Sequence, residues 1–288
     1  MFKSDQYELL DFGEGRKLER FGQYIIDRPS PPADRLARST PRLWKRANAR
    51  FERTSAETGK WRFDSDLPAT WKVSHEVGTF ELKPTDFGHV GVFPEQAKNW
   101  LWIAHQIQRA KRPLKVLNLF AYTGGSTLAA ASAGAEVVHI DSAKNVIGWA
   151  RRNAKHSNFS DAPIRWICED AFTFVRRELK RGNTYEAVIL DPPAYGHGPK
   201  GEPWKLNDHL IPLLTACREL TAKRRAFMLL TCHSTGFGPA ELEASLLEGV
   251  FGACGAGVDS FPLTLTTDGG RKLLSGVVAR WPATMDRD

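Results

Sequence analysis

From residue 115 to residue 231 the chain alternates short, almost continuously apolar runs with stretches whose apolar residues recur at helical spacing. The pattern predicts strands at Lys115–Phe120, Glu136–Asp141, Ile164–Cys168, Ala187–Leu190 and Arg225–Thr231. Between and after them it predicts helices at Ser126–Ala133, Asn145–His156, Ala171–Lys180, Asp208–Leu220 and Pro239–Gly249, with one more ahead of them at Ala97–Ala110. Strands that are apolar throughout belong in a parallel sheet covered by helices on both faces. Ser260–Thr266 and Leu274–Trp281 flank Asp268-Gly269-Gly270, a turn that predicts a hairpin and brings the strand number to seven. The expected fold is therefore α/β, a doubly wound, mostly parallel seven-stranded sheet.

The first part of the chain has a different rhythm. Residues 7–28 read as short strands separated by turns, and Pro29, Pro31 and Pro32 end that run. Leu43, Ala47 and Phe51 fall at i, i+4 and i+8, which predicts a helix over Pro41–Arg53. Thr70–Leu82 alternates apolar and polar residues as one or two strands do. Residues 1–85 thus form a small N-terminal α/β module and residues 86–288 the larger domain; a chain of 288 residues exceeds the usual domain of about 100–150.

Composition narrows the class. Hydrophobic content of 42% and charged content of 25% suit a globular protein. Cys168, Cys217, Cys232 and Cys254 are scattered without zinc spacing, so no metal site is expected and reduced thiols in a cytoplasm fit. The charged N-terminus lacks a signal-peptide core, and no run of about 18 apolar residues predicts a membrane span. Oligomeric state is left open. The net charge of +7 has one source: Arg35–Arg62 holds nine Lys/Arg against Glu52 and Glu57, and the remainder is balanced. Trp44, Phe51 and Trp61 are interleaved with these cations. Phosphates attract such a stretch and aromatic rings stack on bases; the alternative is a solvated face whose aromatics point inward.

Candidate chemistry gathers at strand ends. Val116–Phe120 runs into Ala121-Tyr122-Thr123-Gly124-Gly125 and then a helix, where ligands bind open α/β sheets. The two glycines let backbone approach a ligand closely. Asp141 ends the next strand, where an acid hydrogen-bonds ribose hydroxyls. The GxGxxG fingerprint is absent, which disfavours a nicotinamide dehydrogenase. Asp191-Pro192-Pro193 closes the fourth strand in a stiff turn whose carbonyls stay free to accept. Gly196–Lys205 reads as a mobile substrate-covering loop, with Lys200 and Lys205 for phosphates and His197 as an ordinary solvent-facing histidine. Cys232 ends the fifth strand, on the face opposite Thr231 and His233.

Asn118–Gly125, Asp141, Asn153, Glu169-Asp170 and Asp191-Pro192-Pro193-Ala194-Tyr195 resemble the ordered motifs of class I S-adenosylmethionine (SAM)-dependent methyltransferases. More narrowly, with Gly91-Val92-Phe93-Pro94-Glu95-Gln96 ahead of them, they resemble the bacterial 23S rRNA methyltransferases of the large-subunit cytosine-C5 and guanine-N7 type. The resemblance covers residues 80–285. It implies a Rossmann-like methyltransferase fold, SAM as cofactor, and RNA, with rRNA favoured, as partner. It places Phe120, Tyr122, Thr123, Gly124, Gly125, Asp141, Ser142, Asp170 and Asp191 at the cofactor: the glycine loop at the methionine end, Asp141 at the ribose, Asp170 at the adenine amine. Asp170 also suits a helix N-cap. Asp191, Pro192, Pro193 and Cys232 fall in the catalytic region, with Cys232 where the cytosine-C5 group keeps its nucleophile. Ala194 stands where amino-methylating enzymes carry an aromatic residue, which disfavours exocyclic amines. The PUA RNA-binding domain this group often carries is not seen here, so RNA contact falls to Arg35–Arg62 and the loop after Pro193. A protein or small-molecule methyltransferase, and a non-catalytic RNA-binding protein on this scaffold, are the alternatives.

Overall fold

The computed structural model describes residues 1–55, 58–234, 236–252 and 257–283. Cys254 lies outside them. The chain divides into two compact units, Met1–Lys98 with Thr264–Ser275, and Asn99–Leu263 with Gly276–Asp288. Residues 86–98 and the hairpin tip therefore go with the N-terminal strands.

The first unit is built on a five-stranded sheet of β1 (Tyr7–Gly13), β2 (Arg16–Phe21), β3 (Tyr24–Pro29), β4 (Ala49–Arg53) and β5 (Gly59–Phe63), in that order. A separate pair, β6 (Trp71–His75) and β7 (Gly78–Leu82), is antiparallel. The helix expected over Pro41–Arg53 is not formed. Pro41–Arg46 is a 3-10 turn, Ala47 is extended, and β4 then pairs parallel to β3 and antiparallel to β5. The buried residues Ala47, Ala49 and Phe51 have the two-residue period of a strand, and the cross-strand ladders satisfy backbone groups that a helix would have paired locally.

One buried acid organises the basic stretch. Asp11, 1% exposed, accepts from the backbone N–H of Ser39 (3.1 Å) and Thr40 (2.9 Å), the indole N–H of Trp44 (2.9 Å) and the Arg271 guanidinium (2.8 Å). Burial pushes its carboxyl up, but the Trp44, Thr40, Ser39 and Phe12 N–H groups outweigh this and hold it below the usual range. The 3-10 turn so anchored leaves Arg42, Lys45 and Arg46 exposed, as is Arg35 before it. Arg50 is different: it pairs with buried Asp27 at 2.9 Å. Trp44 and Phe51 are core residues, 3% and 1% exposed, and the Trp61 indole donates to the Thr85 carbonyl (2.8 Å). Trp44 and Phe51 are thus not open to stacking, Trp61 is half-buried, and the exposed cations dominate the surface of the stretch.

In the second unit the parallel strands come where apolar runs predict them. The elements are α1 (Ala97–Arg109), β8 (Lys115–Leu119), α2 (Gly125–Ser132), β9 (Glu136–Asp141), α3 (Lys144–His156), β10 (Ile164–Cys168), α4 (Ala171–Lys180) and β11 (Ala187–Leu190). The loop after Pro193 then holds a small antiparallel pair, β12 (Tyr195–His197) and β13 (Pro203–Lys205). After it come α5 (Leu206–Thr221), β14 (Phe227–Cys232), α6 (Pro239–Leu246) with a π-helical turn at Leu247–Phe251, β15 (Asp259–Thr266) and β16 (Lys272–Trp281). The sheet order is β10-β9-β8-β11-β14-β16-β15, with β16 antiparallel to β14. This is the expected doubly wound, mostly parallel seven-stranded sheet. Every residue of β11 and β14 is buried, as a sheet covered on both faces requires. The winding reverses between β8 and β11, so the carboxyl ends of these strands open a crevice there.

Candidate cofactor and substrate site

The loop leaving β8 is held in an uncommon backbone shape. Phe120 and Tyr122 have φ of 55° and 48°, and Gly124 has φ of 91°. Left-handed conformations strain non-glycine residues and persist only when neighbours enforce them. Asp141 supplies part of that enforcement. Its Oδ2 accepts from the Tyr122 N–H and its Oδ1 from the Ala143 N–H, both at 2.9 Å. Burial pushes the Asp141 carboxyl up, against the lowering effect of the Ala143 and Tyr122 N–H groups. Asn153, fully buried on α3, donates to the Thr123 carbonyl at 2.9 Å and braces the loop from below. Gly125 is required because a Cβ there would stand 2.5 Å from the Trp100 ring.

A cleft of about 330 Å³, partly open to solvent, runs along the carboxyl ends of β8, β9 and β10. Phe120, Asp141, Ser142, Asp170 and Pro193 line it together with Trp204. Asp170 caps α4, its Oδ1 accepting from the Thr173 N–H at 2.8 Å. The other wall is the β12–β13 hairpin. Trp204 is 4% exposed, its indole N–H donates to the Pro193 carbonyl (2.7 Å), and its ring lies 4.8 Å from that of Phe120. The Pro193 carbonyl is therefore taken, where the turn was expected to keep its carbonyls free. Gly198 fits flush over Asp170, whose Cβ would be 2.9 Å from a Cβ at residue 198. Little in the sequence signals this wall, because Trp204 stands in a stretch of Gly, Pro and Lys that reads as loop.

Asp191 lies at the neighbouring strand end, half-buried. It accepts from the Thr231 hydroxyl at 2.6 Å, and its Oδ1 stands 3.6 Å from His233 Nε2. Cys232 is 1% exposed, and its sulfur accepts from the Ser234 N–H at 3.4 Å. Burial pushes the thiol above its ordinary value, and the Asp191 charge adds to that. Among the described residues no cluster of three His, Cys, Asp or Glu side chains has the arrangement of a metal site, and no helix is long and apolar enough to cross a membrane.

The family model of S-adenosylmethionine-dependent methyltransferases matches residues 45–232. The chain belongs to this family. A crystal structure of the SAM-dependent methyltransferase from Agrobacterium tumefaciens superposes with a TM-score of 0.90 at 42% identity, covering 96% of this chain and 90% of that one. The ribosomal RNA large subunit methyltransferase I of Aeromonas salmonicida is 34% identical over 155 residues, 53% of this chain and 35% of its own length. The ribosomal RNA large subunit methyltransferase K/L of Syntrophotalea carbinolica is 29% identical over 117 residues, 40% of this chain and 15% of its own. The aligned stretch is thus about a third or less of each of these two relatives.

SAM is accordingly the cofactor of this methyltransferase, and the cleft suits it. It offers three carboxylates, Asp141, Glu169 and Asp170, an aromatic face in Phe120, and a hairpin wall too close-packed at Gly198 to admit a side chain. Bound SAM supplies an electrophilic methyl group on a sulfonium. Of the residues the resemblance assigns to the cofactor, Phe120, Asp141, Ser142 and Asp170 line this cleft and would hold it there, Asp141 toward the ribose hydroxyls and Asp170, through the oxygen not used in capping, toward the adenine amine.

Proposed function

We propose that this methyltransferase transfers its methyl group to a base of large-subunit rRNA. The observation that carries the reading is the position of Asp191-Pro192-Pro193 at the carboxyl end of β11, with Pro193 itself on the wall of the cofactor cleft. A planar acceptor held on this stiff turn would lie beside the methyl donor, and methyl transfer depends on such close alignment. RNA as the acceptor is supported by the similarity to the two rRNA methyltransferases and by the exposed Arg35, Arg42, Lys45 and Arg46. The test is transfer of tritiated methyl from SAM to total RNA of cells lacking the enzyme, followed by mass spectrometry of the nucleosides. Transfer to protein or small molecules but not to RNA would refute the reading.

Guanine N7 is favoured over cytosine C5. N7 has a lone pair and needs only positioning. C5 needs a thiolate to attack C6 first and a base to remove the C5 proton afterwards. Cys232 is buried in the packing of α5 and α6 against the sheet, and its thiol is pushed up, the opposite of an activated nucleophile. RNA substituted with 5-fluorocytidine is expected to give no covalent adduct, and Cys232→Ala to methylate as wild type does. An adduct that disappears in Cys232→Ala would restore cytosine C5 and make Cys232 the nucleophile.

A further inference from the structure

We propose that the outer face of the β12–β13 hairpin is a platform for an unpaired nucleotide next to the target base, with Tyr195 stacking on its base and Lys205 meeting its phosphate. This rests on the reading of RNA as the substrate. The hairpin register pairs Tyr195 with Lys205, Gly196 with Trp204 and His197 with Pro203. Directly opposed residues share a face, so the hairpin has two distinct sides. The inner side, Gly196 and Trp204, is fixed to the cleft wall. The outer side carries Tyr195, Pro203 and Lys205, all exposed, with Tyr195 at 74%, while the exposed His197 borders the cleft. The hairpin cannot turn over to bury Tyr195, because Trp204 already fills the space beneath and Gly198 is flush against Asp170.

A ring held in water on a stiff support is suited to stacking, since ordering it costs little on binding. Cross-strand neighbours on one face have Cβ atoms roughly 5 Å apart, so the Tyr195 ring and the flexible Lys205 side chain can reach the same nucleotide. The acid in the hairpin, Glu202, is turned to its own loop, where it accepts from the Lys200 N–H at 2.9 Å. Lys200 and Lys205 thus give the exposed part a positive character. Ala194, not an aromatic residue, stands directly after the two prolines. The ring at Tyr195 therefore faces outward, which assigns it to a neighbouring nucleotide and not to the methyl acceptor. Unpaired nucleotides are the class that offers a free π-face.

The test is fluorescence anisotropy of the full chain, with SAM present, using a labelled single-stranded oligouridylate and a duplex RNA of equal length. Wild type is expected to prefer the single strand. Tyr195→Ala should weaken single-strand binding roughly 5- to 150-fold, the range for loss of one stacked base. Tyr195→Phe should retain it, and duplex binding should not change. Lys205→Ala should reduce the slope of log affinity against log salt by roughly 0.7, one single-strand phosphate contact. Because Tyr195 is exposed, its replacement leaves the fold intact, and an unaltered SAM affinity by calorimetry verifies this. Unchanged single-strand binding by Tyr195→Ala, or equal losses for Ala and Phe, overturns the platform. Failure of wild type to bind either RNA overturns the RNA reading itself.

Discussion

Replacing Arg35, Arg42, Lys45 and Arg46 together by Glu is expected to remove roughly three to four units from the salt slope of RNA binding, if each cation meets one phosphate. At low salt the affinity loss should be on the order of a hundredfold or more, since released counterions supply most of such binding. The choice of residues comes from the structure. These four side chains are exposed. Arg50 lies in the same basic stretch but neutralises Asp27, a carboxylate with no side-chain exposure. Reversing Arg50 would put two acids together in the core and confuse a binding defect with unfolding. The measurement is a salt series of RNA-binding isotherms, with SAM titration as control. SAM affinity should be unchanged, because no cofactor contact is altered. An unchanged salt slope would make these cations a solvated face.

Asp141→Ala is expected to weaken SAM binding by about 1–3 kcal/mol, a factor of roughly 5 to 150. Two losses combine. The ribose hydroxyls lose their acceptor, and the N–H groups of Tyr122 and Ala143 lose the carboxylate that fixes them. Tyr122 holds a left-handed φ of 48°, so its release lets the loop relax to a shape less suited to the ligand. Asp141→Asn keeps one acceptor and should fall between wild type and Ala. Calorimetric titration gives the affinity. Thermal unfolding without SAM separates a lost contact from a lost fold. Wild-type affinity in a folded Asp141→Ala protein would remove Asp141 from the site.

Much of the second unit was legible in the chain. The strands at 136–141, 164–168 and 187–190 and the helix at 171–180 have the predicted limits, because the strands are short runs rich in apolar residues and helices between them start at readable caps such as Asp170. The glycine loop, Asp141 and the Asp191-Pro192-Pro193 turn were legible for a related reason: they sit where strands end, and strand ends are marked in the sequence. Less was legible at 41–53. Leu43, Ala47 and Phe51 match a helical spacing while Ala47, Ala49 and Phe51 match a strand, and local pattern cannot choose between them. Ladders to β3 and β5 made the choice.

What the sequence determined by itself is thus the set of elements whose own composition and periodicity announce them: the alternating strands and helices, their order, and the acids and glycines at their ends. The tertiary structure decided what depends on partners far along the chain. It set Asp11 against Ser39, Thr40, Trp44 and Arg271, which turns the cations of that stretch outward and its tryptophan inward. It folded 195–205 into a hairpin with Trp204 under Pro193 and Tyr195 in solvent, and it buried Cys232. The physical reason is that an apolar run carries its own signal in local composition, whereas a single buried carboxylate, indole or thiol takes its role from whichever donors, rings and charges the fold brings to it.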